Sequence, residues 1–323
     1  MVKTNHWGAL TAAGGVLVAV VLLVLMVVLA EARPAEATFP GQNGKIAYVG
    51  YDGHDDEIYT INPNGGGKLR VTNNNKWDYS PAYSPNGKRI AYNGFIGGNE
   101  EILTIKATGG TPVQVTNNNT QGELDAAYSP DGTRIAFQGS TNTSTADDIY
   151  TINVSGGTPF NVTNDNASDG DPDYSPDGNR IAYSSRDWAN PPSDYEIYTI
   201  NVSGGTPLDV TNTHDLEANE FSPSYSPDGN RIAYWGWDPS QGQGDIYTIE
   251  ATGGTPVKVT NNSRFKADPS YSPDGTRIAY AGYDGHDWEI YTRPATGDTG
   301  TPVRVTNNSR DDSNPSWGSS GVN

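Results

Sequence analysis

The chain has 323 residues, 34% of them hydrophobic and 18% charged, a balance that supports a buried core and excludes a disordered chain. It contains no cysteine, so neither disulfides nor thiol chemistry contribute. Its formal charge of -18 makes nucleic acid and anionic membrane surfaces poor partners and leaves cations or basic protein surfaces as natural ones.

Residues 1–37 differ from the rest. A short polar start with Lys3 and His6 leads into an apolar run at residues 16–30, followed by Ala30-Glu31-Ala32 and Ala35-Glu36-Ala37. The A-x-A spacing is what signal peptidase reads, so residues 1–37 are expected to be a signal peptide. The uncharged stretch 8–30 also reaches the length of about 20 residues that spans a bilayer, so an uncleaved N-terminal anchor through residues 9–30 stays open. Both readings place residues 38–323 outside the cytoplasm: periplasmic, secreted, or membrane-anchored and facing outward.

A repeat dominates residues 38–323. Lys45-Ile46-Ala47-Tyr48 recurs at Arg89–Tyr92, Arg134–Phe137, Arg180–Tyr183, Arg231–Tyr234 and Arg277–Tyr280, at intervals of 44, 45, 46, 51 and 46 residues. Such a period suits a four-stranded propeller blade. With 38 glycines, 22 prolines and 19 tyrosines, the composition favours turns and strands over helices. In the fourth unit, strands are predicted at residues 171–175, 180–184, 196–200 and 207–211, with Pro176-Asp177-Gly178-Asn179 and Gly204-Gly205 as turns. The proline that opens the last strand suits an outer edge. The first unit lacks its first strand, and Asn314-Pro315-Ser316-Trp317-Gly318 supplies an extra one. Residues 38–323 are therefore predicted to be an all-β, six-bladed β-propeller of four-stranded blades, closed by the C-terminal strand joining the N-terminal blade.

The unit Tyr-Ser-Pro-Asp-Gly, Arg-Ile-Ala-Tyr, Glu-Ile-Tyr-Thr-Ile resembles the WD40-like (PD40) repeat of the TolB-type propeller family, and the resemblance covers residues 41–318. It implies the propeller fold and, more weakly, a non-enzymatic scaffold binding a protein partner of the cell envelope. Two departures limit the carry-over. TolB carries an α/β domain before its propeller, for which residues 38–43 leave no room. Prolyl-oligopeptidase-type relatives carry a hydrolase domain, whereas no G-x-S-x-G elbow occurs here.

Candidate sites emerge from the repeat. An acid precedes the isoleucine of each third strand (Glu57, Glu101, Asp148, Glu196, Asp245, Glu289); a group needed by every blade reads as structural, as does the Lys or Arg before each Ile-Ala. A second acidic set at the first strands comprises Asp78, Glu123, Asp125, Asp169, Asp171, Glu220, Asp268 and Asp312. First strands line a propeller's channel, so Asp78, Asp125, Asp171 and Asp268 are candidate channel-mouth acids. No cofactor is required by any motif, although carboxylates in such a ring suit Ca²⁺. Tyr51-Asp52-Gly53-His54-Asp55 returns as Tyr283-Asp284-Gly285-His286-Asp287 and reads as a hairpin turn or as a two-histidine metal site. Loops 186–194 and 235–244 are long for their kind, and their Trp188, Trp235 and Trp237, together with Tyr195, are candidate binding residues for a protein anchor or, alternatively, a glycan. Histidines are few and no nucleophile-and-base motif occurs, so the domain is expected to bind rather than catalyse, as a monomer. The sequence does not name the partner or pathway, nor say whether eight Asn-x-Ser/Thr sequons are modified.

Overall fold

The computed structural model describes residues 41–117, 122–140, 146–186, 194–212, 219–238, 242–260, 264–297 and 300–321. The expected signal peptide or anchor and Trp188 lie outside them. Six four-stranded antiparallel sheets form the molecule. Five are built from consecutive strands; the fourth, for example, runs Ser168–Tyr174, Arg180–Arg186, Glu196–Asn201 and Leu208–Asp209 from inside to outside. Each innermost strand packs against those of the two neighbouring sheets, which makes the array a closed ring. The first sheet is composite, because Asp312–Ser319 is its inner strand and pairs with Asn43–Tyr51. The molecule is thus the predicted six-bladed propeller with its predicted closure, in which Asp312–Ser319 covers the edge that Asn43–Tyr51 would otherwise leave open.

Why these residues stack into blades is explained by the period-2 alternation of a strand. In the second strand of each blade, Ile and Tyr point one way and Ala the other. Ile90 and Tyr92 pack into the first blade against Ala47, Val49 and Ile58, while Ala91 meets Tyr128 and Ile135 of the third. Large side chains on one face and alanine on the other let successive twisted sheets nest. All six isoleucines of the motif are fully buried, each contributing about 1.5–3 kcal/mol relative to exposure. In four blades the motif tyrosine, and in a fifth its substitute Phe137, also meets the ring of its partner on the third strand, as Tyr48 does with Tyr59 at 5.7 Å.

The expected turns have a specific construction. Gly178 N–H donates to Ser175 C=O at 2.8 Å, and the Ser175 hydroxyl donates to Asp177. Gly178 has φ of 70°, a conformation that glycine adopts without strain. The Arg that comes after each turn reaches across its own blade: Arg180 Nη2 donates to Thr199 Oγ1 at 2.7 Å, and Arg89, Arg134, Arg231 and Arg277 repeat the bond to the hydroxyls of their own threonines. The basic residue of the repeat is therefore architectural, as its recurrence implied.

Candidate functional site

The loops joining second to third strands and those joining successive blades emerge on one face of the ring, and the candidate residues gather there. Their positions are set by the inner strands, each of which carries an irregularity near its start. At that point the backbone turns left-handed at Ser80, Asp125, Asp171, Ser222, Asp268 and Asn314, with φ between 47° and 54°. Six equivalent non-glycine residues in this conformation re-aim six side chains inward. They meet at the axis: the Ser80 hydroxyl donates to Asp125 at 2.7 Å, Ser222 N–H donates to Asp171 at 3.2 Å, and Asn314 Nδ2 donates to Asp268 at 3.3 Å. Withdrawal from water, reinforced by the charge of Asp171, raises the Asp125 carboxyl to about 7 and that of Asp268 to about 6; burial also raises Asp171.

Below this ring a second layer stitches the blades together. Asp173, Ser224, Ser270 and Ser316 each accept the backbone N–H of a residue in the next blade, at 2.7, 3.3, 3.0 and 3.2 Å respectively. Burial lifts Asp173 to about 7.

The eight acids assigned to the inner strands thus occupy two places. Asp125, Asp171 and Asp268 face the channel. Asp78, Glu123, Asp169, Glu220 and Asp312 are at most 3% exposed and lie between blades, each two residues before a channel-facing position. The irregularity separates the sets, because residues two apart on a regular strand would share a face, and the channel-facing neighbour of Asp78 is Ser80. Asp78 accepts from Asn74 Nδ2 at 2.7 Å, and burial, with the charge of Glu57 added, raises it to about 7. The third-strand acids meet this set from the preceding blade and bond residues on or just after their own fourth strands, as where Thr116 donates to Glu101 at 2.7 Å.

Aromatic side chains form the rim. In the first, second, fifth and sixth blades, which are consecutive around the ring, the residue after the glycine that pairs with the third-strand acid is Tyr51, Phe95, Trp237 or Tyr283. Ser140 and Arg186 hold the place in the other two. Tyr51 is 42% and Phe95 41% exposed, and Trp77, beside Phe95, is 59% exposed. Trp77 and Phe95 line an open cleft of about 630 Å³ with His54, Asp55, Asn75 and Lys76. Trp237 stacks on Phe265 at 5.9 Å. Trp235 stacks on Phe221 at 5.2 Å, and Phe221 meets Tyr195 at 4.6 Å, so these two candidates are joined in one aromatic column with Arg186 over the Tyr195 ring. Sequence reasoning passed over Trp77 and Phe95; the signal was there, since Trp77 and Phe265 replace Gly122, Ser168, Asn219 and Asp311 at the same place in the repeat.

The two Tyr-Asp-Gly-His-Asp motifs close their own loops. Asp52 accepts the N–H groups of His54 and Asp55, and Asp284 those of His286 and Asp287, which is the Asx-turn geometry. No histidine joins a cluster of ligating groups among the described residues.

Comparison with known proteins agrees with this architecture. The TolB beta propeller domain family (PD40) matches residues 36–187 and 125–234. TolB from Acinetobacter baumannii superposes with a TM-score of 0.72 at 23% identity, over 87% of this chain and 67% of that one. A protein of Agrobacterium tumefaciens assigned as TolB gives 0.67 at 20% identity, over 85% and 92%. An oligogalacturonate lyase from Vibrio parahaemolyticus gives 0.57 at 12% identity, over 83% and 77%. At these identities the structural likenesses carry the fold alone. No curated protein matches the sequence.

Proposed function

This chain belongs to the TolB beta propeller domain family, and on that premise we propose that it is a binding module of the cell envelope that docks a protein partner on its channel-mouth face, without catalysing a reaction. The observation that carries this reading is the aromatic crescent on four consecutive blades, with Tyr51 and Phe95 exposed and Trp237 and Tyr283 half-buried, set around a mouth holding Asp125, Asp171 and Asp268. Exposed aromatics beside an acidic opening suit a segment that inserts apolar anchors and carries positive charge nearby. Tyr195, Trp235 and Trp237 buttress the far end of the crescent, and Trp188 belongs to the same loop system by sequence. Residues 1–37 deliver the domain outside the cytoplasm, as a cleaved signal or a retained anchor, and the ring acts as a monomer.

The test is photo-crosslinking in the native envelope. A crosslinking residue in place of Trp77 or Phe95 is expected to capture one defined protein, whereas the same residue at Phe160, on an outermost strand, captures none. The Trp77→Ala, Phe95→Ala double variant is expected to lose about 2 kcal/mol or more of binding, as removal of central aromatic anchors does. Equal capture at both faces sinks the proposal. Saturable binding of an oligosaccharide, lost in the same double variant, would instead establish the glycan reading.

A further inference from the structure

Each boundary between blades repeats one arrangement on the channel-mouth face: a third-strand acid from one blade, the first-strand residue of the next, and a fourth-strand residue over both. The equivalences are fixed by register. Arg70, Asn161, Lys258 and Arg304 lie opposite Tyr59, Tyr150, Tyr247 and Tyr291, and Asp78, Asp169, Lys266 and Asp312 lie opposite Gly94, Ser185, Gly282 and Gly50.

Three boundaries carry their own cation. Between the fifth and sixth blades, Asp245 holds Lys258 Nζ at 2.6 Å and the buried Lys266 Nζ at 2.7 Å. Arg70 bonds Glu57 after the first blade, and Arg304 bonds Glu289 after the sixth, both at 2.5 Å. Between the third and fourth blades the Arg70 position is Asn161 and the Lys266 position is Asp169. A third carboxylate, Asp165, joins Asp148 and Asp169 there, with one oxygen from each lying within 4.8 Å of the others. Asp169 is 1% exposed, and its Oδ2 has no hydrogen-bond partner; Oδ1 accepts from Ser185 at 2.6 Å. Asp148 is 7% exposed and accepts from Asn161 Nδ2 at 2.8 Å, Thr163 Oγ1 at 3.2 Å and Asp165 N–H at 3.2 Å. Asp165 is exposed and opens the cluster to solvent.

We propose that Asp148, Asp165 and Asp169 bind a hard divalent cation of Ca²⁺ size that joins the third and fourth blades. A buried carboxylate oxygen requires a donor or a cation, and the location where Lys266 supplies an ammonium two blades on is here lined by acid. Oxygens within 4.8 Å of one another are close enough to share one ion, small side-chain adjustments bringing them to the about 2.3–2.6 Å typical of Ca²⁺, with water completing the shell. The group at Asp52, Asp55 and Glu57 is the instructive contrast, because Arg70 already binds Asp52 at 2.7 Å and Glu57 at 2.5 Å.

The test uses the full chain stripped with chelator, then titrated with Ca²⁺ by calorimetry and melted with and without it. Saturable binding and a higher unfolding temperature are expected. Asp165→Asn, at an exposed position, is expected to weaken the site by about tenfold or more, because the carboxylate count sets Ca²⁺ affinity. Asp169→Lys, copying Lys266, should melt the same with and without Ca²⁺ while remaining folded. Asp125→Asn, in the channel, should leave the response intact. Absence of Ca²⁺ binding to the wild-type chain, or an affinity unchanged in Asp165→Asn, overturns the proposal, and a response lost in Asp125→Asn but kept in Asp165→Asn moves the ion to the channel.

Discussion

At the scale of single residues, this propeller confines its carboxylates. Asp78, Asp125, Asp173 and Asp312 are all raised to about 7, burial being the main cause in each. A carboxyl whose value in the fold exceeds its ordinary 3.8 binds more protons folded than unfolded between those limits. Its contribution to stability is therefore present in acid and is lost as pH rises through about 7. The turn residues act oppositely. The Ser226 hydroxyl, against partial desolvation, and the Asn230 N–H hold Asp228 below its ordinary value, so that its contribution is lost as pH falls below about 4. The unfolding temperature is expected to be higher at about pH 5 than at about pH 8 and to drop again below about pH 4, which a series of thermal melts checks. In Asp173→Asn, whose amide is neutral at every pH and keeps an oxygen to accept the Tyr225 N–H, the difference between the two higher pH values should shrink.

At the scale of the strand, the alternation of large and small residues is the determinant. Ala182 is fully buried and faces the fifth blade, in a cluster with Ile197, Tyr225, Ile232 and Tyr234. Its methyl lies between the two sheets among fully or nearly fully buried side chains. Ala182→Leu is expected to destabilise the domain by about 1–3 kcal/mol through overpacking, read from the urea midpoint. Leucine in place of the exposed Thr296, if equally costly, would contradict this account. The strand scale also explains which part of the candidate site was legible. The Glu-Ile and Arg-Ile-Ala repeats announced themselves as architecture, because every blade needs them. The split of the inner-strand acids into channel and boundary sets was not legible, since it depends on an irregularity that lets Asp169 and Asp171 point to different neighbours instead of sharing one face.

At the scale of the whole molecule, near-sixfold repetition makes its exceptions informative. The aromatic rim covers the first, second, fifth and sixth blades, and the triple carboxylate falls between the third and fourth, so the ring presents two chemically different arcs. Closure holds them together: removal of residues 312–323 would uncover the inner edge of Asn43–Tyr51 and the fully buried Ile46 and Ala47. That truncation is expected to lose the single cooperative unfolding transition and to bind a hydrophobic dye, as an opened sheet does. A sharp melt identical to that of the intact chain would mean that the closing strand is dispensable.

Strand class, blade number, turns and complementary ends were all legible in one dimension, because each is a local pattern copied six times and local patterns survive without knowledge of neighbours. The aromatic positions that break the copy were written there as well. Which side chains meet was settled only in three dimensions. Asp148 and Asp169 belong to different blades, Lys266 answers an acid 21 residues earlier, and Asp125 and Asp268 face one channel from opposite parts of the chain. Such contacts depend on sheet twist and on the inward turn of each first strand, which a linear repeat does not specify.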